Sequence, residues 1–287
     1  MISLGNATQQ NHVQRCIRSI RTRGEWKGRI VIITDQPQAY AELRADDPLT
    51  TCIRPHREDW EDLPPYKDIK LKYKRFKTLL IDYISGFGRY NDNDSAAAAV
   101  ATMDTTFANP FKDVTKILYL DVDIVVCKPL LPWIQWRWKE GFQKRQDLAS
   151  GLSVVYMFKE GPNTGKVAHG GLILQDIKLS KGCMEEWRRR MDERRSGRDQ
   201  ALIREMMRNG SKKTGCKIHA WERKELIFPF PEDFKRMRMK QFVHITNTHH
   251  AALTDASMQK KFLEEALNLT PDERQDPNSL AIVPAGF

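Results

Sequence analysis

No stretch of the 287-residue sequence approaches the roughly 20 consecutive apolar residues of a transmembrane helix, so no membrane span is expected in this chain. No charged-then-apolar leader follows Met1, and no signal peptide is expected. The chain opens almost at once on Ile2-Ser3-Leu4, short for a first strand, which raises the expectation of missing upstream residues. None of the five cysteines (Cys16, Cys52, Cys127, Cys183 and Cys216) forms a CxxC pair, which argues against a zinc site. Their odd number and wide spacing suit buried thiols and leave the redox compartment and disulfide state open. There are no internal repeats, and no zinc-finger spacing or RNA-binding motif, so no nucleic-acid partner is expected.

What is present is positive charge. The net charge is +10, which favours anionic partners such as nucleotide phosphates. Arg188-Arg189-Arg190, Arg194-Arg195 and Lys235-Arg236 carry much of it, and the plainest reading of such runs is a solvated helix face. Apolar residues make up 40% of the sequence, enough for the core of a compact α/β unit.

Strands alternate with helical patterns along the chain. Val13, Cys16, Ile17 and Ile20 fall on one helical face. Arg29 to Thr34 reads as a buried strand ending at Asp35, and Thr51 to Arg54 as a weaker one. Phe76, Leu79, Leu80, Tyr83 and Ile84 predict one helix, with Lys70, Lys74 and Lys77 lining a second, cationic face. The segment from Tyr90 to Asn109 reads as a surface insertion. Lys116 to Leu120 is the clearest strand. A tryptophan-rich helix follows Pro129, with Trp133, Trp136 and Trp138. Further strands are expected at Ser153 to Phe158, Leu172 to Leu174, Leu226 to Phe228 and Gln241 to Ile245. Helices are expected around Trp187, over Asp199 to Arg208, and around Met258, Phe262 and Ala266. This alternation predicts an α/β fold with a mostly parallel central sheet flanked by helices.

The chemistry concentrates where Lys116-Ile117-Leu118-Tyr119-Leu120 runs into Asp121-Val122-Asp123. In open α/β sheets, ligands bind beyond the carboxyl ends of strands. Two carboxylates there make an oxygen-rich site for Mg²⁺ or Mn²⁺. A strand regular through this point would aim both aspartates to the same side. Asp92-Asn93-Asp94 repeats the spacing but follows no buried strand, and reads as a loop.

The segment Lys116 to Leu130 resembles the donor-site signature of GT-A-fold glycosyltransferases, most closely the glycogenin-like group, glycosyltransferase family eight. The resemblance spans roughly Ile30 to His250 and is patchy. It implies a single GT-A-like, Rossmann-type domain over 1–269. Residues 1–130 would bind nucleotide, 131–269 would form the acceptor part, and 270–287 would be an irregular tail. It also implies Mn²⁺ (or Mg²⁺) on Asp121 and Asp123, with His244 as third ligand, although His244 also suits a satisfied core histidine.

For the donor, the resemblance points to Thr34 and Asp35 at a strand end, to Lys77, and to His169-Gly170-Gly171, where His169 stands in place of the family's usual Asn. His250 falls near the family's phosphate-binding lysine, without its Lys-Pro-Trp setting; His249 and His250 also suit a surface. Asp199 and Gln200 match the Asp-Gln pair beside the transferred sugar, and Asp199 also suits a helix N-cap. Trp221 and Phe228-Pro229-Phe230-Pro231 offer aromatic surface to a carbohydrate or serve packing.

The expected activity is metal-dependent transfer of a sugar from a nucleotide-diphosphate donor, a UDP-sugar by resemblance, to a glycan, protein or lipid acceptor. The family retains anomeric configuration. Two alternatives stay open. One is a sugar nucleotidyltransferase, although Leu4-Gly5-Asn6 is sparse for its glycine-rich loop. The other is a non-catalytic basic binding protein on the same fold. The resemblance implies a Golgi or secretory lumen if an N-terminal anchor has been lost, and the cytoplasm otherwise.

Overall fold

A computed structural model describes residues 1–4, 8–64, 69–86, 110–143, 152–159, 168–195, 199–221, 226–227 and 241–244. Several expectations fall outside these residues: Asp92 and Asp94, Phe228 to Pro231, His249, His250, the helix around Phe262 and the tail 270–287. The same holds for the side chains of Lys70 and Trp221.

In chain order the elements are β1 (Ile2–Ser3), α1 (Thr8–Thr22), β2 (Ile30–Thr34), α2 (Ala41–Asp46), β3 (Thr50–Ile53), α3 (Ile69–Arg75), α4 (Leu80–Ser85), β4 (Lys116–Leu120) and β5 (Ile124–Val126). They continue with α5 (Leu130–Trp138), β6 (Ser153–Lys159), β7 (Ala168–Asp176), α6 (Lys181–Arg194), α7 (Asp199–Thr214), β8 (Cys216–Trp221), β9 (Leu226–Ile227) and β10 (Phe242–His244). The chain divides into two compact units, each assembled from separated stretches of sequence.

The first unit gathers the described residues of Met1–Pro55, Leu120–Arg145 and Glu222–Phe287. Its parallel sheet is ordered β1-β2-β3, with Ile2 opposite Ile33 and Ile32 opposite Cys52. The β-branched run Ile30-Val31-Ile32-Ile33 suits a strand buried on both faces. Its second sheet, β5-β10-β9, pairs β10 antiparallel with β5 and parallel with β9. Helix α1 buries Val13, Cys16, Ile17 and Ile20, the stripe its sequence predicts. It is tied to β5 by the Val126 N–H, which donates to Ser19 Oγ at 3.0 Å.

The second unit gathers the described residues of His56–Tyr119 and Gln146–Trp221. Its sheet is ordered β4-β7-β6-β8, with β6 antiparallel to β7 and parallel to β8. Helix α6 buries Met184, Trp187 and Met191 as its spacing predicts. Its arginines are ion-paired rather than merely solvated: Arg188 holds Asp82 at 2.6 Å, and Arg190 holds Glu186 and Glu205 at 2.7 Å each.

The single helix predicted through Phe76 and Ile84 is broken. Helix α3 ends at Arg75, a 3₁₀ turn covers Phe76–Thr78, and α4 begins at Leu80. The Thr78 hydroxyl donates to the Arg75 carbonyl at 2.6 Å, a local bond that competes with the helical ladder. Arg75 itself is fixed between Asp59 (3.0 Å) and Asp192 (2.7 Å).

A disulfide joins Cys183 on α6 to Cys216 on β8, with Cα atoms 4.8 Å apart. The bond answers the disulfide state that the cysteine spacing leaves open. Cys16, Cys52 and Cys127 are free thiols, and burial pushes their pKa values up to about 12, 11 and 12 respectively.

Candidate functional site

The chain does not stay extended after β4. Asp121, Val122 and Asp123 form a turn, in which the Ile124 N–H donates to the Asp121 carbonyl at 3.0 Å. The two carboxylates therefore converge through a turn, where the sequence suggested strand alternation.

His244 arrives from the far end of the chain by register. Strand β10 lies antiparallel to β5, with Phe242 opposite Val126 and His244 opposite Ile124. Four contacts hold that register. The Cys127 N–H donates to the Gln241 carbonyl at 2.9 Å. The Gln241 amide donates to the carbonyls of Lys128 (2.7 Å) and Pro129 (3.2 Å). The Phe242 ring packs edge-on against Trp133 of α5, centroids 4.8 Å apart. Stepping from Gln241 to His244 along this frame sets the imidazole beside the turn.

As a result Asp121, Asp123 and His244 offer ligand atoms within 4.8 Å of one another, and His244 Nε2 lies 3.1 Å from Asp123 Oδ1. His244 is buried, while the carboxylates are half-buried. Two carboxylates and one imidazole form a donor set of oxygen and nitrogen that fits a divalent ion.

Two side chains on α1 belong to this neighbourhood and were not expected from sequence. Arg15 is buried. Burial lowers its pKa, and the Asp123 carboxylate opposes that shift. His12 is pushed down to about 4 by burial first and by Arg15 second, with Asp123 opposing. It is therefore neutral near pH 7. Its Nε2 is buried without a hydrogen bond among the described residues. The signal available in sequence was slight: His12, Arg15 and Ser19 border the apolar stripe of α1.

Of the other donor-site candidates in this unit, Thr34 is buried at the end of β2, and its Oγ1 accepts the N–H of Gln36 at 3.1 Å. Asp35 follows it, half-buried.

The second unit holds a separate charged cluster. Asp199 opens α7 at 2% exposure. Lys74 Nζ donates to its Oδ1 at 2.6 Å, and Lys77 Nζ stands 3.9 Å from Oδ2. Lys77 is buried, and its Nζ also donates to the Gly170 carbonyl at 2.9 Å and lies 5.3 Å from the Tyr119 ring centre. The cationic helix face expected at Lys74 and Lys77 thus turns inward. Burial alone would raise the Asp199 carboxyl, but Lys77 and then Lys74 outweigh it and hold it below the ordinary range.

His169, Gly170 and Gly171 lie inside β7 rather than in a turn before it. A side chain at Gly170 would meet Trp187 at 3.1 Å, Ile203 at 3.3 Å and Asp199 Oδ2 at 3.6 Å, so the glycine admits α6 and α7 close to the strand. His169 Nδ1 accepts the Gly171 N–H at 3.0 Å. Gln200 is half-buried, next to Asp199 on α7.

No protein-family model matches the chain, and no curated protein matches its sequence. Among solved structures, it is similar to the galactosyltransferase LgtC in complex with donor and acceptor sugar analogs. The TM-score is 0.52 at 12% identity, over 94% of this chain and 95% of that one. An active-site mutant of LgtC aligns with a TM-score of 0.53 at 11% identity, over 97% of this chain and 99% of that one. The glycosyltransferase GlyE of Streptococcus pneumoniae TIGR4, in its apo form, aligns over 93% of this chain and 59% of that one, with a TM-score of 0.49 and 10% identity. Taken with the strand and helix order above, the likeness to LgtC shows that the chain has the α/β fold of GT-A glycosyltransferases.

Proposed function

We propose that the protein is a metal-dependent glycosyltransferase that moves a sugar from a nucleotide-diphosphate donor, a UDP-sugar, to a glycan, protein or lipid acceptor with retention of configuration. The observation that carries this reading is the convergence of Asp121, Asp123 and His244 within 4.8 Å. These three residues would hold the ion, Mn²⁺ by the chemistry of the donor set. When bound, the ion supplies charge stabilisation to a departing diphosphate. The structure of LgtC with donor and acceptor sugar analogs supports the same assignment by analogy of fold.

Asp199 and Gln200 are assigned to the transferred sugar on the family resemblance. Asp199 is engaged by Lys74 at 2.6 Å and faced by Lys77. A carboxylate held this way is a poor nucleophile, which favours displacement on one face without a covalent sugar–protein intermediate. In that reading the acceptor's proton passes to the departing diphosphate oxygen. The Cys183–Cys216 disulfide supports residence in an oxidising compartment, as the Golgi or secretory lumen would be.

The test is hydrolysis and transfer by purified protein across UDP- and GDP-sugars, with and without Mn²⁺. Metal-dependent turnover of one UDP-sugar supports the assignment. Turnover of none, with no binding of any nucleotide sugar, returns the protein to the class of basic binding proteins on this fold.

A further inference from the structure

A buried arginine beside a cation site needs a reason, because it repels the ion that the site would hold. Arg15 is 5% exposed. It stands one helical turn before Ser19, so the two share a face of α1. That face is fixed to the strand that follows the aspartate turn: Ser19 Oγ takes the Val126 N–H at 3.0 Å and gives its own proton to the Cys16 carbonyl at 2.7 Å. Further along, the Leu130 N–H donates to the Gly24 carbonyl at 2.8 Å, so the helix and the strand segment run the same way, and one turn back from Ser19 brings Arg15 toward the aspartates that precede β5. The electrostatic pattern agrees: Arg15 and His12 each feel Asp123, and the Cys16 thiol next to Arg15 feels both Asp123 and Asp121. Helix α1 therefore sets a guanidinium, kept out of water, against the carboxylates of the candidate metal site.

We propose that Arg15 is a positioning residue of the donor site, which weakens its hold on the bare cation and strengthens its hold on the anionic diphosphate, so that metal and nucleotide are taken up together. This rests on the donor-site reading above. Asp121 and Asp123 bring two negative charges, and the guanidinium offsets one of them before any ligand arrives. A divalent ion alone then meets a less negative site. A diphosphate that comes with the ion adds the negative charge that the positive charge of Arg15 complements. A nucleoside diphosphate is the class of ligand that satisfies both the carboxylates, through the cation, and the guanidinium.

The experiment is a pair of titrations on wild type, Arg15→Gln and Arg15→Lys: Mn²⁺ without nucleotide, followed by electron paramagnetic resonance, and UDP at saturating Mn²⁺, followed by calorimetry. The expected result for Arg15→Gln is Mn²⁺ affinity raised several-fold and UDP affinity lowered several-fold, with Arg15→Lys close to wild type in both. Loss of folded protein moves both affinities down and cannot produce opposite signs. Unchanged affinities in Arg15→Gln overturn the proposal, as do parallel losses in Arg15→Gln and Arg15→Lys. A wild type that binds neither Mn²⁺ nor UDP overturns the donor-site reading itself.

Discussion

The imidazole Nε2 of His244 lies 3.1 Å from Oδ1 of Asp123, although the two residues are 121 positions apart in the sequence. Strand pairing accounts for the meeting: β10 is locked against β5 by Gln241 and by the packing of Phe242 on Trp133. If this triad is the metal site, Asp123→Asn and His244→Ala each weaken Mn²⁺ binding by at least about tenfold, since changes even to supporting residues cost that much. The check is Mn²⁺ titration with the thermal midpoint measured alongside, so that lost affinity is separated from lost folding.

Asp199 should behave as a buried, paired anion. Replacing it with Asn leaves Lys77 facing a neutral group in a buried site and should cost about 3 kcal/mol of stability. Because Lys77 and Lys74 hold the folded pKa below its ordinary value, the wild-type ion pair contributes fully at neutral pH. That contribution is lost as pH falls below about 4, where the unfolded chain takes up the proton first. Urea unfolding of wild type and Asp199→Asn should therefore converge at low pH and separate above it. A gap that is constant with pH would remove the ion pair from the explanation.

The same carboxylate answers the mechanistic question. One-face displacement predicts no sugar covalently attached to Asp199 when the protein is quenched during turnover and its peptides are weighed. A peptide spanning Asp199 that gains the mass of one sugar would establish a covalent route.

The Cys183–Cys216 bond closes a loop with a sequence separation of 33, for which chain-entropy reasoning gives about 3–4 kcal/mol. Reduction should lower the unfolding midpoint accordingly, and Cys183→Ser/Cys216→Ser should be insensitive to reductant. Intact mass before and after reduction and alkylation should show two added labels on this pair. An unfolded chain that takes up five labels without prior reduction would show the bond absent.

Gly170 makes a local prediction. A Cβ there already presses on Trp187 and Ile203, so Gly170→Val should cost about 1–3 kcal/mol through overpacking. It should also displace Asp199 from its lysines, which the loss of the acid-range stability change would report.

Much of this was legible in the sequence for reasons that are local. Lys116 to Leu120 is apolar and β-prone, so the strand and the aspartates at its end could be read directly. The stripes on α1 and α6 follow from spacing. What was hidden depends on tertiary context. Lys74 and Lys77 look like a solvent face until Asp199 and the Gly170 carbonyl are placed beside them. Helix α3 stops at Arg75 because Asp59 and Asp192 hold that side chain and Thr78 bonds back to its carbonyl. Five cysteines without a CxxC pair give no pairing, which only the approach of α6 to β8 supplies. Arg15 carries no local signal of its burial, because a charged residue on an amphipathic helix is exposed far more often than buried.

A donor site that depends on a metal held by Asp121 and Asp123 must lose its activity with either the ion or the carboxylates. The most direct test is turnover of a UDP-sugar panel by wild type and by Asp121→Ala/Asp123→Ala, each with Mn²⁺ and with chelator. A metal-dependent site gives turnover of at least one UDP-sugar by wild type with Mn²⁺, and none with chelator or in the double variant. Equal turnover by the folded double variant, or turnover by wild type that survives the chelator, would contradict it.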